Sequence, residues 1–209
     1  MQIMSYYKNY LRAFAEGLDH AVLEIKNKVV NHDLFLDRLL TEVRNTEMAN
    51  GRIFFFGNGA SASFANHMAL DWSKNGGVLS LSLSDSALLT ALSNDYSYID
   101  AFKEFARINQ LKEKDIIVAI SSSGNSPNII SVLEFAKEIG ATTIAFSGLK
   151  SSNNSRKIAD YSIYCTYRTY GMVECAHQLW LHLWLDAYMN IQEWNRDDFQ
   201  NMNQSEFNL

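Results

Sequence analysis

Apolar residues recur at helical spacing through the first fifty positions, then give way to short apolar runs separated by further helical patterns. Leu11, Phe14, Leu18, Val22 and Ile25 predict an amphipathic helix over about 6–30, and Leu36, Leu39, Leu40 and Val43 a second over 34–48. From residue 52 the chain alternates. Strands are expected at 52–56, 78–83, 115–120, 142–146 and 161–165, with helices across 61–74, 85–109, 127–139, 152–158 and 173–189. Strands separated by helices predict parallel neighbours, because a parallel pair needs a crossover connection. The expected fold is therefore α/β: a doubly wound five-stranded parallel sheet with long N-terminal helices. One domain is expected over 1–209, made of helices at 1–50, an α/β core at 51–190 and a polar tail at 191–209. The leading helix either packs across a subunit boundary or caps its own sheet.

Ligands of such sheets bind outside the carboxyl ends of the strands, and two of those ends carry unusual loops. The run Ile116 to Ile120 leads into Ser121-Ser122-Ser123-Gly124-Asn125-Ser126-Pro127. Ser126 suits a helix N-cap and Pro127 the first helical position, where a missing N–H costs nothing. Free amides, the positive end of the helix and several hydroxyls then face an anion, an arrangement that suits a sugar phosphate. The first strand runs into Gly57-Asn58-Gly59-Ala60-Ser61, a glycine-bearing turn before a helix. Alone, two glycines in such a turn serve backbone geometry; paired with the serine loop, the turn becomes the second wall of one small polar site. No Gly-x-x-x-x-Gly-Lys-Ser/Thr sequence occurs, so no nucleotide cofactor is expected.

Two further clusters stand near these loops. His67 and Asp71, spaced i, i+4, share one face of the helix that follows the glycine turn. In isolation such a pair is a surface contact; its position brings it toward the phosphate site. Glu174, Gln178 and His182 form a polar stripe, with His177 beside it, in a helix otherwise filled by Leu179, Trp180, Leu181, Leu183 and Trp184. Eight residues separate Glu174 from His182, about 12 Å along an ideal helix. Both would reach one ion only with extended side chains or a helix that starts after Glu174.

Composition narrows the partners. Hydrophobic residues make up 47% of 209 and charged residues 20%, as in an ordinary soluble domain, and a net charge of −5 gives no basic footprint for nucleic acid. The apolar stretch near 179–185 is far short of the ~20 residues of a membrane span. Two cysteines, Cys165 and Cys175, make no disulfide framework, and the first residues lack the pattern of a signal peptide, so a cytoplasmic setting is expected.

Together, Gly57 to Ser61, His67-x-x-x-Asp71, Asn94-Asp95, Ser121 to Ser126, and Glu174 with His182 resemble the SIS (sugar isomerase) phosphosugar-binding domains, and within them the sedoheptulose-7-phosphate (phosphoheptose) isomerase group. The resemblance covers about residues 5–190. It implies an isomerase acting on a ketose phosphate through an enediol, in a homotetramer with active sites at subunit interfaces. It also implies substrate binding by Asn58, Gly59, Ser61, Asp95, Ser121, Ser122, Ser123 and Ser126, with Asp71 as general base and His182 as general acid. Some members bind zinc through positions that correspond to His67, Asp71, Glu174 and His182. This chain departs from the isomerase pattern at Asp71 (in place of a glutamate), Glu174 (a glutamine), Ala60 (a glycine) and Gly171-Met172 (an Asp-Arg pair). A carboxylate and a histidine still occupy the two chemical positions. Two alternatives stand beside the isomerase: a non-catalytic adaptor, as in one SIS branch that binds a replication-initiator protein, and a sugar-phosphate sensor that keeps Ser121 to Ser126 without proton transfer.

Overall fold

The central strands consist of what a sheet covered on both faces requires. In a computed structural model that describes residues 3–192 and Trp194, β3 (Ile53–Gly57) and β5 (Ile116–Ser121) are buried at every position, and β6 (Thr142–Ser147) at all but its first. Strand alternation sends their side chains into two separate cores. Ile53, Phe55, Val118 and Ile120 pack with α2 (His32–Met48), α3 (Ala60–Lys74) and α8 (Tyr170–Tyr188) on one face. Phe54, Phe56, Ile117 and Ala119 pack with α4 (Ser86–Asp95), α5 (Ala101–Ile108) and α6 (Pro127–Ile139) on the other.

With β4 (Ser80–Ser82) and β7 (Tyr161–Tyr164), these strands form a parallel array in the order β4-β3-β5-β6-β7. The short α7 (Asn154–Ile158) joins β6 to β7. The chain leaves β3 through α3 toward one edge and leaves β5 through α6 toward the other. A doubly wound sheet opens a crevice where the winding reverses, and here that point lies between the glycine turn after β3 and the serine loop after β5.

The expected five strands are present, but the sheet has seven. The helix expected over 6–30 is two structures: α1 (Ile3–Asp19), then a hairpin of β1 (Val22–Ile25) and β2 (Lys28–Val30). Lys26 and Asn27 form its two-residue turn with φ of 49° and 62°, the left-handed pair that matches hairpin twist. β1 pairs antiparallel with β7 and covers what would be an open edge. Glu24 fastens it there, accepting from Arg156 Nε and Nη2 at 2.5 and 2.8 Å and from Ser162 Oγ at 2.8 Å. A partner strand some 140 residues away thus overrides the helical spacing of Leu18, Val22 and Ile25.

α1 meets the rest of the chain mainly through its C-terminal half. Gly17 lies so close to the Tyr167 ring that a Cβ would stand 2.1 Å from it, and the Tyr167 hydroxyl donates to the Phe14 carbonyl. Tyr6, Tyr7 and Leu11 stay exposed. The polar tail expected at 191–209 lies, apart from Ile191, Gln192 and Trp194, outside the described residues. Among those described, no helix is long and apolar enough to cross a membrane, and both cysteines are free.

Candidate active site

At the switch point α3 begins through Gly59, whose φ of 58° favours glycine, and α6 begins with Ser126 as N-cap and Pro127 in its first turn. Asn58 and Ser61 from the first loop face Ser121, Ser122, Ser123 and Ser126 from the second across a cavity of about 200 Å³. Ile120, Tyr170 and Glu174 complete its lining, which contains no lysine or arginine. Ser126 caps α6 by position only; its hydroxyl makes no capping bond and lies 3.3 Å from Ser121 Oγ. Ser121 and Ser123 Oγ accept from the Gly124 and Asn125 N–H groups, each at 3.2 Å, so these two hydroxyls face the cavity as donors.

The serine loop is braced from behind. Gly124, at φ 63°, donates its N–H to the Ser121 carbonyl, and its own carbonyl accepts from Ser155 N–H at 2.9 Å. Asn125 Oδ1 accepts from Asn154 N–H at 3.0 Å. The entry to α7 thus holds the loop, a support that sequence reading did not identify.

α3 and α8 both begin at this cavity and run away from it side by side. Six residues beyond Ser61 on α3 stands His67, and eight beyond Glu174 on α8 stands His182, so the two imidazoles lie about 9 and 12 Å along their helices from the cavity. There they meet: His67 Nε2 is 3.2 Å from His182 Nε2 and 3.2 Å from Asp71 Oδ2. One donor atom from each of His67, Asp71 and His182 falls within 4.8 Å of the others. His182 Nδ1 lies 2.9 Å from the Gln178 main-chain carbonyl. Gln178 Nε2 lies equally close to Nδ1, at 2.9 Å; with the ring proton on Nδ1 the main-chain carbonyl accepts it, and Nε2 then turns a lone pair toward His67 and Asp71.

Of the four residues expected around one ion, the structure brings three together. Glu174 lines the serine cavity instead, because α8 starts at Tyr170, before Glu174, and the full helical rise separates it from His182. Asp95 is exposed at the end of α4, where its Oδ1 accepts from the Asn94 side chain, and it does not line the cavity. The same connection reaches the site through Tyr98, whose hydroxyl donates to Asn58 Oδ1 at 2.7 Å. Tyr98, Asn128, Tyr170 and the bracing segment before α7 carried no sequence signal beyond ordinary turn and helix residues.

His177, on the opposite side of α8 from solvent, is fully buried between Phe146 and the Ser147 carbonyl, 3.1 Å from its Nε2. Burial disfavours its cation and holds its pKa down at about 4, against a partial opposing pull from that carbonyl. The unfolded chain therefore takes up a proton that the folded one refuses between about pH 6.5 and 4. The contribution of His177 to stability is fully present above that window and is lost through it as pH drops, by on the order of 3 kcal/mol. Chemical denaturation at pH 7.5, 6, 5 and 4.5 checks this: His177→Gln should lose less stability on acidification than the unsubstituted protein, and equal losses would contradict it.

The chain is similar to known proteins over most of its length. The model of the SIS domain matches residues 20–148, a span that contains both cavity loops, His67 and Asp71. A probable phosphoheptose isomerase of Thermoplasma volcanium is 32% identical over 161 residues, 74% of this chain and 79% of that protein. A phosphoheptose isomerase of Mycobacterium tuberculosis is 30% identical over 182 residues, 80% and 89% of the two chains. The solved phosphoheptose isomerase of Francisella tularensis superposes with a TM-score of 0.75 at 20% identity, over 91% of this chain and all of that one. The one from Neisseria gonorrhoeae gives 0.72 at 23%, over 90% and 97%.

Proposed function

The chain belongs to the SIS domain family, and on that premise we propose that it is a ketose–aldose phosphate isomerase that converts sedoheptulose 7-phosphate to an aldoheptose 7-phosphate through an enediol. One observation carries this reading: two helices that begin at a hydroxyl-lined cavity bring a carboxylate and two imidazoles together further along. A phosphate at the cavity leaves the sugar chain directed along α3 and α8, with its carbonyl end toward Asp71 and His182. Isomerisation needs one base for the proton next to the carbonyl and one acid for the carbonyl oxygen. Asp71 takes the carbon-bound proton, and His182, as the imidazolium with its Nδ1–H held by the Gln178 carbonyl, gives the oxygen its Nε2 proton. A sensor or adaptor needs no such convergence, which favours the enzyme over both.

The His67, Asp71 and His182 donors also fit a divalent metal. Three nitrogen and oxygen ligands within reach of one point, with Gln178 behind one imidazole, match an open catalytic zinc site. Bound there, zinc would polarise the substrate carbonyl. On this reading the protein is a single-domain cytoplasmic homotetramer with active sites at subunit interfaces, and the exposed Tyr6, Tyr7 and Leu11 face of α1 supports an intersubunit role for that helix.

Nuclear magnetic resonance of the protein with five-, six- and seven-carbon ketose phosphates tests the reaction. Sedoheptulose 7-phosphate should be converted with the highest kcat/KM, and conversion of none of them would refute the proposal. Protein purified without chelator should carry zinc that His67→Ala loses; equal, negligible zinc in both would rule out the metal.

A further inference from the structure

The wall of the serine cavity formed by Asn58 is held by a hydrogen-bond chain whose direction the main chain dictates. Asn128, 2% exposed in the first turn of α6, accepts the Ile129 main-chain N–H on Oδ1 at 3.0 Å. That N–H also donates to the Ser126 carbonyl at 3.0 Å, and an amide nitrogen of Asn128 in this place would face it donor to donor, which puts the oxygen here and the amide nitrogen opposite. The Asn58 and Asn128 side chains then form a reciprocal pair, with Nδ2 of each donating to Oδ1 of the other at 2.9 Å. Asn58 Oδ1 also accepts from the Tyr98 hydroxyl at 2.7 Å. Both acceptor sites of that oxygen are thereby filled, while one N–H of Asn58 has no protein partner among the described residues.

We infer that Asn128 and Tyr98 are positioning residues that lock the Asn58 amide so that it offers ligand oxygens a donor and no acceptor. A free asparagine presents either face to a cavity, and its carbonyl would repel a phosphate oxygen. In a cavity without lysine or arginine, discrimination for an anion depends on such fixed neutral donors. Tyr98 adds a second consequence: it ties the α4–α5 connection, which follows Asp95, to the glycine turn, so the order of that connection and the orientation of Asn58 are coupled. The inference rests on the serine cavity being the phosphate site proposed above.

The test is a double-mutant cycle read by calorimetry with inorganic phosphate, alongside steady-state kinetics with sedoheptulose 7-phosphate. Tyr98→Phe removes one hydroxyl from a half-exposed ring and leaves the fold intact. It should weaken phosphate binding and raise KM by about three- to tenfold with kcat within about twofold, the size of one hydrogen bond. In an Asn58→Ala background the same substitution should change the phosphate Kd by less than about 1.5-fold, because its target is gone. Unchanged phosphate affinity in Tyr98→Phe, equal weakening in both backgrounds, or no phosphate binding by the unsubstituted protein would overturn the inference. A cycle that holds in protein that does not convert sedoheptulose 7-phosphate would sustain the inference and refute the proposed reaction alone.

Discussion

Asp71→Asn should lower turnover of sedoheptulose 7-phosphate by about 10²- to 10⁴-fold, the range expected when a positioned base is lost. Asparagine keeps the size and planar shape of the side chain, so α3 and its packing against α8 are undisturbed. It cannot take a proton from carbon. The cavity proposed to hold the phosphate lies at the start of the same helix, ~15 Å away by helical rise, so the Kd for inorganic phosphate should stay within about twofold. A fall in kcat with phosphate affinity intact separates lost chemistry from lost binding. Equal losses in both would show instead that Asp71 serves the architecture of the site.

Gly124→Ala should damage both the fold and the cavity. Its φ of 63° strains any residue with a Cβ, and that Cβ would stand 2.3 Å from the Asn153 side chain. Asn153 cannot yield: it is wholly buried, donates to Ser147 Oγ and the Lys150 carbonyl, and accepts from Ser155 Oγ and the Arg156 N–H. Either the serine loop moves out or this network breaks. The expected loss is about 2–4 kcal/mol of stability, from a strained backbone together with disrupted buried hydrogen bonds, and phosphate binding should weaken more than about tenfold. Gly140→Ala is the control. Gly140 has a φ of 86°, but its nearest added contact is Glu113 Cβ at 3.7 Å, so it should lose about 1–2 kcal/mol from backbone strain alone with phosphate affinity unchanged. Thermal unfolding and calorimetry on both variants distinguish the cases.

The parts of this molecule that are local in sequence are legible there. The run Ile116 to Ser126, its proline at the first turn of α6 and the i, i+4 pair His67 and Asp71 depend on neighbours within one or two turns, and the structure places them as their spacing predicts. The hairpin over Val22 to Val30 depends on β7, so a periodicity shared with helices misdirected its assignment. Glu174 shows the same limit at the site. Its stripe with Gln178 and His182 is real, yet which end of the stripe meets His67 is set by where α8 starts relative to the sheet. Asn128 and Tyr98 look like an ordinary first-turn residue and a loop aromatic until the two strand ends are brought together.

The most direct test of the central claim, that Asp71 and His182 move a proton on a sugar held by its phosphate, is turnover of sedoheptulose 7-phosphate in deuterated water followed by proton resonance of the recovered sugars. The unsubstituted protein should introduce deuterium at the carbon next to the carbonyl, and Asp71→Asn should introduce none over the same period. Full conversion with no deuterium in either sugar, or undiminished incorporation by Asp71→Asn, would contradict the account.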